Sequence, residues 1–535
     1  MKKLLTILAA ASFLVSTSTT TVVSCTVKSK SINSLNFNWD LGVLEEVSQK
    51  EIIRAIARVN DIDLNDKRGI ELLASMKFDY NSTVSFFEEG TTSNPGDKLT
   101  FISKIEATPN SKVLKGSVNI TFKATDEAVI KSQNPIQNQE KNLVGTWWNW
   151  GNTIKDEHNN DKGLGWRGVF LEQFAYNEKN PYDIINISSL YTKAGEYQID
   201  SLNINDLTYN PHPKPENPGW PYDGDNDDTN SHFLIDRKKR RETNGSSKEG
   251  FGKDPKIITS LGGATADRMM WKWNQKNQLK NKLKEVLDTF GLDGLEIALS
   301  GRTLYNRESQ ETLSQAVKEI MVENWLQGKD FYLSISTRIP WLLKSATAMN
   351  KPSVVPFIES MDGWFNDISI ITYNLSRPVN QIIAPETFTV DGVTYEKGEK
   401  IRSNLSPDIE KAAFFYGTIR ALLDDKWNPN SKYYDLSNKP IRIATTTPFA
   451  SSTGGFGFEK NSDESNLEIA LREIYKDTKV SNPDVARNIV GLSYFGITLD
   501  QIISNEKPTE PTKFNHGSSL SKFIEEANKL NKPKK

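Results

Sequence analysis

One cysteine, Cys25, is all that 535 residues contain, so no disulfide can form within the chain and the fold must rest on its core. Histidine is nearly as scarce: His158, His212, His232 and His516 are the only four, and none stands at a metal-ligand spacing. No stretch beyond the N-terminus approaches the ~18 consecutive apolar residues of a spanning helix. An excess of charge is missing too. The 66 Lys and Arg against 68 Asp and Glu leave a net −2, which argues against a nucleic-acid partner. Phosphate loops, dinucleotide fingerprints, zinc motifs and serine-nucleophile elbows are absent, so no cofactor is expected. The run Asp223-Gly224-Asp225-Asn226-Asp227-Asp228 is the nearest approach to a calcium loop. It lacks the glycine at its sixth position and has Leu234 in place of the closing Glu, so no metal is expected either.

What the chain does have is a composition that can fold, with 37% hydrophobic and 25% charged residues. Its length suggests more than one domain. Lys2 and Lys3 precede a short apolar run, Leu4 to Val15, which reads as a targeting segment. Val22-Val23-Ser24-Cys25 follows and resembles the lipobox of bacterial lipoproteins. That resemblance implies a signal peptide over 1–24, a lipid on Cys25, a tether over 25–35 and a place on the outer face of the cell membrane. Two acyl chains suffice for stable anchoring.

Residues 36–135 read as a small α+β domain. Apolar residues at helical spacing occupy 44–59, and alternating runs follow at 77–87, 99–107 and 113–124. The stretch from Trp39 to Leu44, with the helix and strands after it, resembles the N-terminal domain of lipoproteins from wall-less bacteria, the mollicutes. A polar linker is expected over 136–142.

From 143 to 505 the rhythm becomes strand-then-helix. Eight β-rich runs stand at 144–150, 184–191, 256–261, 292–299, 331–337, 368–373, 441–445 and 489–495. Several are continuously apolar, as parallel strands covered on both faces should be. Helical patterns lie at 277–290, 311–326 and 406–425. The expected fold is therefore α/β, a (β/α)8 TIM barrel preceded by the small α+β domain. Residues 192–255 read as a surface loop, with the basic run Arg237-Lys238-Lys239-Arg240-Arg241 solvated within it, and 506–535 as a polar C-terminal tail.

The fourth run, Gly291-Leu292-Asp293-Gly294-Leu295-Glu296-Ile297-Ala298-Leu299-Ser300, resembles the signature strand of family 18 glycoside hydrolases, the chitinases, whose pattern is D-x-x-D-x-D-x-E. Other strands resemble that family in order: Gly145 to Trp150, Asn186-Ile187-Ser188, Ser260-Leu261-Gly262-Gly263, Ile370 to Asn374, Ala444 to Phe458 and Asn488 to Gly496. In the family the closing Glu protonates the glycosidic oxygen. The substrate's own acetamido group is the nucleophile, held by the last Asp and the sixth-strand Tyr. Here only Asp293 is kept. Glu296, Ala298 and Ser300 occupy the other three positions, all on one face of the strand. A serine hydroxyl is far too weak an acid for the closing role, and an alanine orients nothing.

The resemblance thus implies a degenerate hydrolase with no catalytic residue at Asp293, Glu296, Ala298 or Ser300. Glu296 should lie below the substrate as a buried, hydrogen-bonded carboxyl, and Asp293 should fix the start of its strand. Glu308 and Glu311 are the alternative acids if the barrel is active. The groove would be lined by Tyr373, Trp148, Asn374 and Phe495, with Trp147, Trp150 and Trp166 as further aromatics that could instead pack behind the strands. Its partner would be a glycan such as a chitooligosaccharide, and the lipid anchor would tie it to the membrane.

Overall fold

The computed structural model describes residues 29–86, 96–133, 139–147, 171, 180–191, 198–204, 229–244, 254–262, 269–344, 351–373, 382–401, 411–428, 432–446, 466–478, 488–497 and 515–531. Cys25, Trp148, Trp150, Trp166, Asn374 and the acidic run 223–228 lie outside the described residues.

The N-terminal unit is a four-stranded sheet, β1 (Asp40–Val43), β2 (Met76–Phe86), β3 (Leu99–Ala107) and β4 (Ser117–Ala124), in the order β1-β4-β3-β2. Among the described residues three helices accompany it: α1 (Gln49–Val59), α2 (Lys67–Leu73) and α3 (Asp126–Gln133). Ser48 caps α1 by accepting from the Glu51 N–H, and Ile52, Ile53 and Ile56 form its buried stripe. The expected tether ends sooner than its polar composition implied. Ile32 is fully buried, and Lys30 and Ser31 pair in parallel with Leu114 and Lys115.

The second unit is a closed barrel. Its strands are β5 (Asn142–Trp147), β6 (Ile184–Tyr191), β7 (Lys256–Gly262), β8 (Gly294–Ala298), β9 (Tyr332–Arg338), β10 (Asp367–Ile371), β11 (Ile441–Thr445) and β12 (Ile489–Phe495). Every neighbouring pair is parallel, and β12 returns to β5 to complete the ring. The helices of this unit are α4 (Thr229–Asn244), α5 (Lys276–Phe290), α6 (Arg307–Leu326), α7 (Val355–Ser360), α8 (Lys411–Leu423), α9 (Asn466–Thr478) and α10 (Asn515–Asn531). This is the (β/α)8 architecture expected from the alternation of runs. Among the described residues no helix is long and apolar enough to cross a membrane.

Three sequence expectations need correction. The basic run is not a solvated loop. It lies on α4, where Arg237 is buried and pairs with Asp254 and Asp293, and Arg241 pairs with the same two carboxylates. The 506–535 tail is not merely polar. Residues Leu520, Phe523, Ile524 and Ala527 of α10 are buried, and Asn528 exchanges two hydrogen bonds with the backbone of Lys141. The barrel also starts one residue into the expected linker, because Asn142 is already paired in β5.

Helix α6 joins the two units. Ser309, Leu313, Gln315, Val317, Lys318 and Ile320 are all buried, a set that wraps around the helix because the barrel covers one face and the N-terminal unit the other. Gln315 donates to the Glu71 carbonyl, and Lys276 bridges Glu71 at 2.7 Å and Glu319 at 2.5 Å. Lys318 donates to Thr108 Oγ1 and to the Ser360 carbonyl, both at 3.1 Å.

Candidate functional site

Parallel barrels place their working groups at the C-terminal ends of the strands and their stabilising groups at the other end. Both ends are legible here. At the base, Arg442 of β11 donates to Asp367 at 3.0 Å, to Tyr332 Oη at 2.7 Å and to Asn142 Oδ1 at 2.6 Å. Tyr332 and Ser334 donate in turn to Asp367. The ion pair is almost wholly buried, 1% and 0% exposed. Each partner therefore needs the other, because an unpaired buried charge is costly. Gly491 gives the guanidinium its room: a Cβ there would lie 2.5 Å from Arg442 Nη1.

Asp293, the retained acid of the motif, also points away from chemistry. Its Oδ2 accepts from the Ile257 N–H at 2.8 Å and from Arg237 at 3.0 Å, and its Oδ1 from Arg241 at 2.6 Å. It fixes the start of β8 against β7, as expected.

The inward face of β8 then carries Glu296 and Ala298, with Ser300 just past the strand end. Ser300 is buried and extended (φ −149°, ψ 173°), and opens the short turn Gly301–Tyr305. Its carbonyl accepts from Thr303 Oγ1 at 2.6 Å. Beside it, Gly262 of the Ser-x-Gly-Gly motif has φ +132°, and a Cβ there would fall 1.8 Å from the Ala298 carbonyl oxygen. Only glycine fits that close approach of β7 to β8.

Glu296 is the one carboxylate on the inward face of this motif. Asn186 Nδ2 donates to its Oε1 at 2.9 Å, so the carboxyl is hydrogen-bonded as expected. Burial pushes the carboxyl up to about 7, and Asp367 adds to the rise. The Asn186 bond and Arg442 oppose it. Above it, Tyr373 and Phe495 stack with ring centroids 5.0 Å apart and planes 25° from parallel. Tyr373 is 7% exposed and Phe495 partly exposed. Burial raises the Tyr373 hydroxyl well above its ordinary range, and the nearby Glu296 raises it further.

Two open alternatives are decided against the site. Trp147 is fully buried in the core behind the strands and does not line the mouth. Glu308 and Glu311, the alternative acids, turn outward to Lys112 of the N-terminal unit, at 3.8 and 3.2 Å, and Glu308 also accepts from the Trp273 N–H. Among the described residues no cluster of three or more His, Cys, Asp or Glu could hold a metal ion.

These features define a (β/α)8 barrel whose fourth strand carries Asp293 and Glu296 and has no carboxyl at Ala298 or Ser300. No family model matches the chain. It is 24% identical over 143 residues to a chitinase of Enterococcus faecalis, a match covering 26% of this chain and 39% of that protein. The chain thus spans well under half the length of that relative. Solved structures similar to it are family 18 chitinases and chitinase-like proteins. A family 18 chitinase from Chromobacterium violaceum is 14% identical with a TM-score of 0.42, covering 83% of this chain and 99% of its own. A chitinase A from Streptomyces coelicolor is 13% identical with a TM-score of 0.40, covering 72% and 99%. Human YKL-39, a pseudo-chitinase with retained chitooligosaccharide binding, is 10% identical with a TM-score of 0.36, covering 72% and 100%.

Proposed function

We propose that this chain is a surface lipoprotein, held at the outer face of the membrane through Cys25, whose chitinase-like barrel no longer hydrolyses and instead binds glycans of the N-acetylglucosamine type. The observation that carries the reading is the pairing of a loss with a retention. Ala298 and Ser300 stand where an orienting Asp and a general acid would be needed, while Tyr373 and Phe495 keep a stacked aromatic pair over the same strand. A missing general acid alone removes on the order of 10²–10⁴ in rate. Stacking against a sugar ring needs no acid at all.

An active barrel using another carboxylate is the second reading, and Glu308 and Glu311 give it no support because both are engaged by Lys112. A purely adhesive role with a plugged barrel is a third. The partial exposure of Ala298, beyond Glu296 on the same strand, favours the glycan reading over a plug.

The test is calorimetry with chitotetraose, with product analysis of the same sample. Binding without cleavage is the expected result. Cleavage would sink the claim of inactivity, and neither binding nor cleavage would sink the glycan reading. Incorporation of labelled fatty acid that disappears in Cys25→Ala tests the anchor.

A further inference from the structure

The chain is pinned close behind its proposed anchor. Lys30 and Ser31 pair in parallel with Leu114 and Lys115, the Lys30 N–H donates to the Val113 carbonyl at 2.9 Å, and Ile32 is fully buried. Cys25 stands only five residues before Lys30. Five residues reach at most about 17 Å. A lipid on Cys25 therefore holds this edge of the N-terminal unit within that distance of the bilayer, and one particular side of the protein faces the membrane.

That edge is continuous with the rim of the barrel mouth. Lys112, next to Val113, reaches Glu311 at 3.2 Å and lies 5.1 Å over the ring of Trp273. The Trp273 N–H donates to Glu308 at 3.1 Å. Asn306, the cap of α6, then lies 3.7 Å from Met270 Sδ. Met270 belongs to the segment between β7 and α5, and Tyr305 closes the turn after β8. Both follow the C-terminal ends of their strands, which is the mouth end of a parallel barrel.

The composition of this surface is unusual for the chain. Met270 is 45% exposed and Tyr305 57%, though both are large and partly apolar. Lys272 and Arg302 are exposed beside them, and Lys30 and Lys115 are exposed on the anchored edge. The carboxylates in this stretch, Glu308 and Glu311, are both engaged by Lys112. Over the whole chain acids slightly outnumber bases, so the surplus of cations is local. Apolar bodies with polar tips, set among Lys and Arg, suit the boundary between lipid headgroups and acyl chains.

We propose that the mouth rim carrying Met270, Lys272, Arg302 and Tyr305, together with Lys30 and Lys115, lies against an anionic phospholipid bilayer. This rests on the lipid-anchor reading and goes beyond it. The anchor supplies nearness, and the rim fixes orientation, so the barrel mouth is held at the membrane surface instead of swinging on a tether. Tethering makes the contact intramolecular, so a surface too weak to hold a free protein is still populated. Each basic group near an anionic leaflet favours the docked state about fivefold.

The experiment uses the lipidated chain beginning at Cys25, reconstituted in phosphatidylcholine–phosphatidylglycerol vesicles. Because Cys25 is the only cysteine and its sulfur would carry the lipid, Met270→Cys supplies one free thiol for a polarity-sensitive fluorophore. The label is expected to shift to the blue and to be quenched by brominated phosphatidylcholine. The same label on Lys329→Cys, an exposed position just before β9 at the base of the barrel, is expected to stay in water. Adding Lys272→Gln and Arg302→Gln should lower the docked-to-undocked ratio at Met270→Cys roughly 25-fold while the chain stays bound through its lipid. A lipidated chain whose Met270→Cys label remains in water, or is quenched equally with and without the two cations, would overturn the rim contact and leave the anchor standing. A second free thiol, at Cys25, would show that the lipid is missing and overturn the anchor along with the contact that rests on it.

Discussion

Nη2 of Arg237 lies 3.0 Å from Oδ2 of Asp293, joining a basic run on α4 to the one acid retained on the signature strand. The arginine is 2% exposed and the aspartate 22%. The pair gives this acid a structural part: with the Ile257 N–H it ties the start of β8 to β7, away from the strand's C-terminal end. Asp293→Ala is expected to destabilise the chain by about 1–3 kcal/mol, because Arg237 keeps Asp254 but loses half its compensation. Urea unfolding measures this. An unchanged midpoint would show that the clamp is idle.

Removing one partner at the barrel base should cost more. Asp367→Ala leaves Arg442 charged, 1% exposed and without a carboxylate, at on the order of 3–5 kcal/mol. The expected readout is a large drop in thermal midpoint. A loss under 1 kcal/mol, against this expectation, would mean that water or Tyr332 compensates the guanidinium.

Lys318 makes stability depend on pH. Burial between the two units lowers its ammonium to about 7, against a small opposing pull from Glu319. In the unfolded chain a lysine holds its proton up to about 10.4. Between those values the unfolded state binds more protons, so this residue's contribution makes stability rise with pH across that window. Below about 7 both states are protonated and the burial penalty is fully present. Lys318→Met should flatten this part of the profile, as read from unfolding midpoints at a series of pH values. An identical slope in the variant would place the dependence elsewhere.

Phe495 is the less buried member of the aromatic pair at the mouth. An aromatic contact is worth roughly 0.5–1.5 kcal/mol beyond its buried area, so Phe495→Ala should weaken chitotetraose binding by a few-fold to about tenfold. Unaltered affinity would put the ligand elsewhere on the barrel.

Restoring the motif asks whether the missing acids are the whole deficit. The double variant Ala298→Asp, Ser300→Glu is expected to release product from chitotetraose where the wild type releases none. Ala298→Asp alone, which supplies no general acid, should stay inactive. Product from the wild type would contradict the assignment of Ser300 to the acid's position.

Much of the fold was legible because the barrel strands are covered on both faces, and such strands read as short apolar runs whatever surrounds them. The runs expected at 184–191, 441–445 and 489–495 match β6, β11 and β12 to the residue. Helices α4 and α10 were missed for a shared reason: each is rich in charge or amide side chains. In α10 the apolar spacing of Leu520, Phe523, Ile524 and Ala527 was a usable signal. For α4 no local signal existed, since its arginines are buried by carboxylates 13 to 56 residues away in sequence.

The site divides along the same line. By itself the sequence determined which chemical groups are present: no acid at Ala298 or Ser300, one carboxyl at Glu296, an aromatic at each of Tyr373 and Phe495. Composition and strand period also sufficed to put Glu296 and Ala298 on one face. Only the tertiary structure decided what those groups meet. Docking of the N-terminal unit onto α6 turned Glu308 and Glu311 toward Lys112, and closure of the ring brought Asn186 to Glu296 and Tyr373 to Phe495. Contacts across 110 or more residues are set by how helices and strands pack, and no local pattern along the chain encodes them.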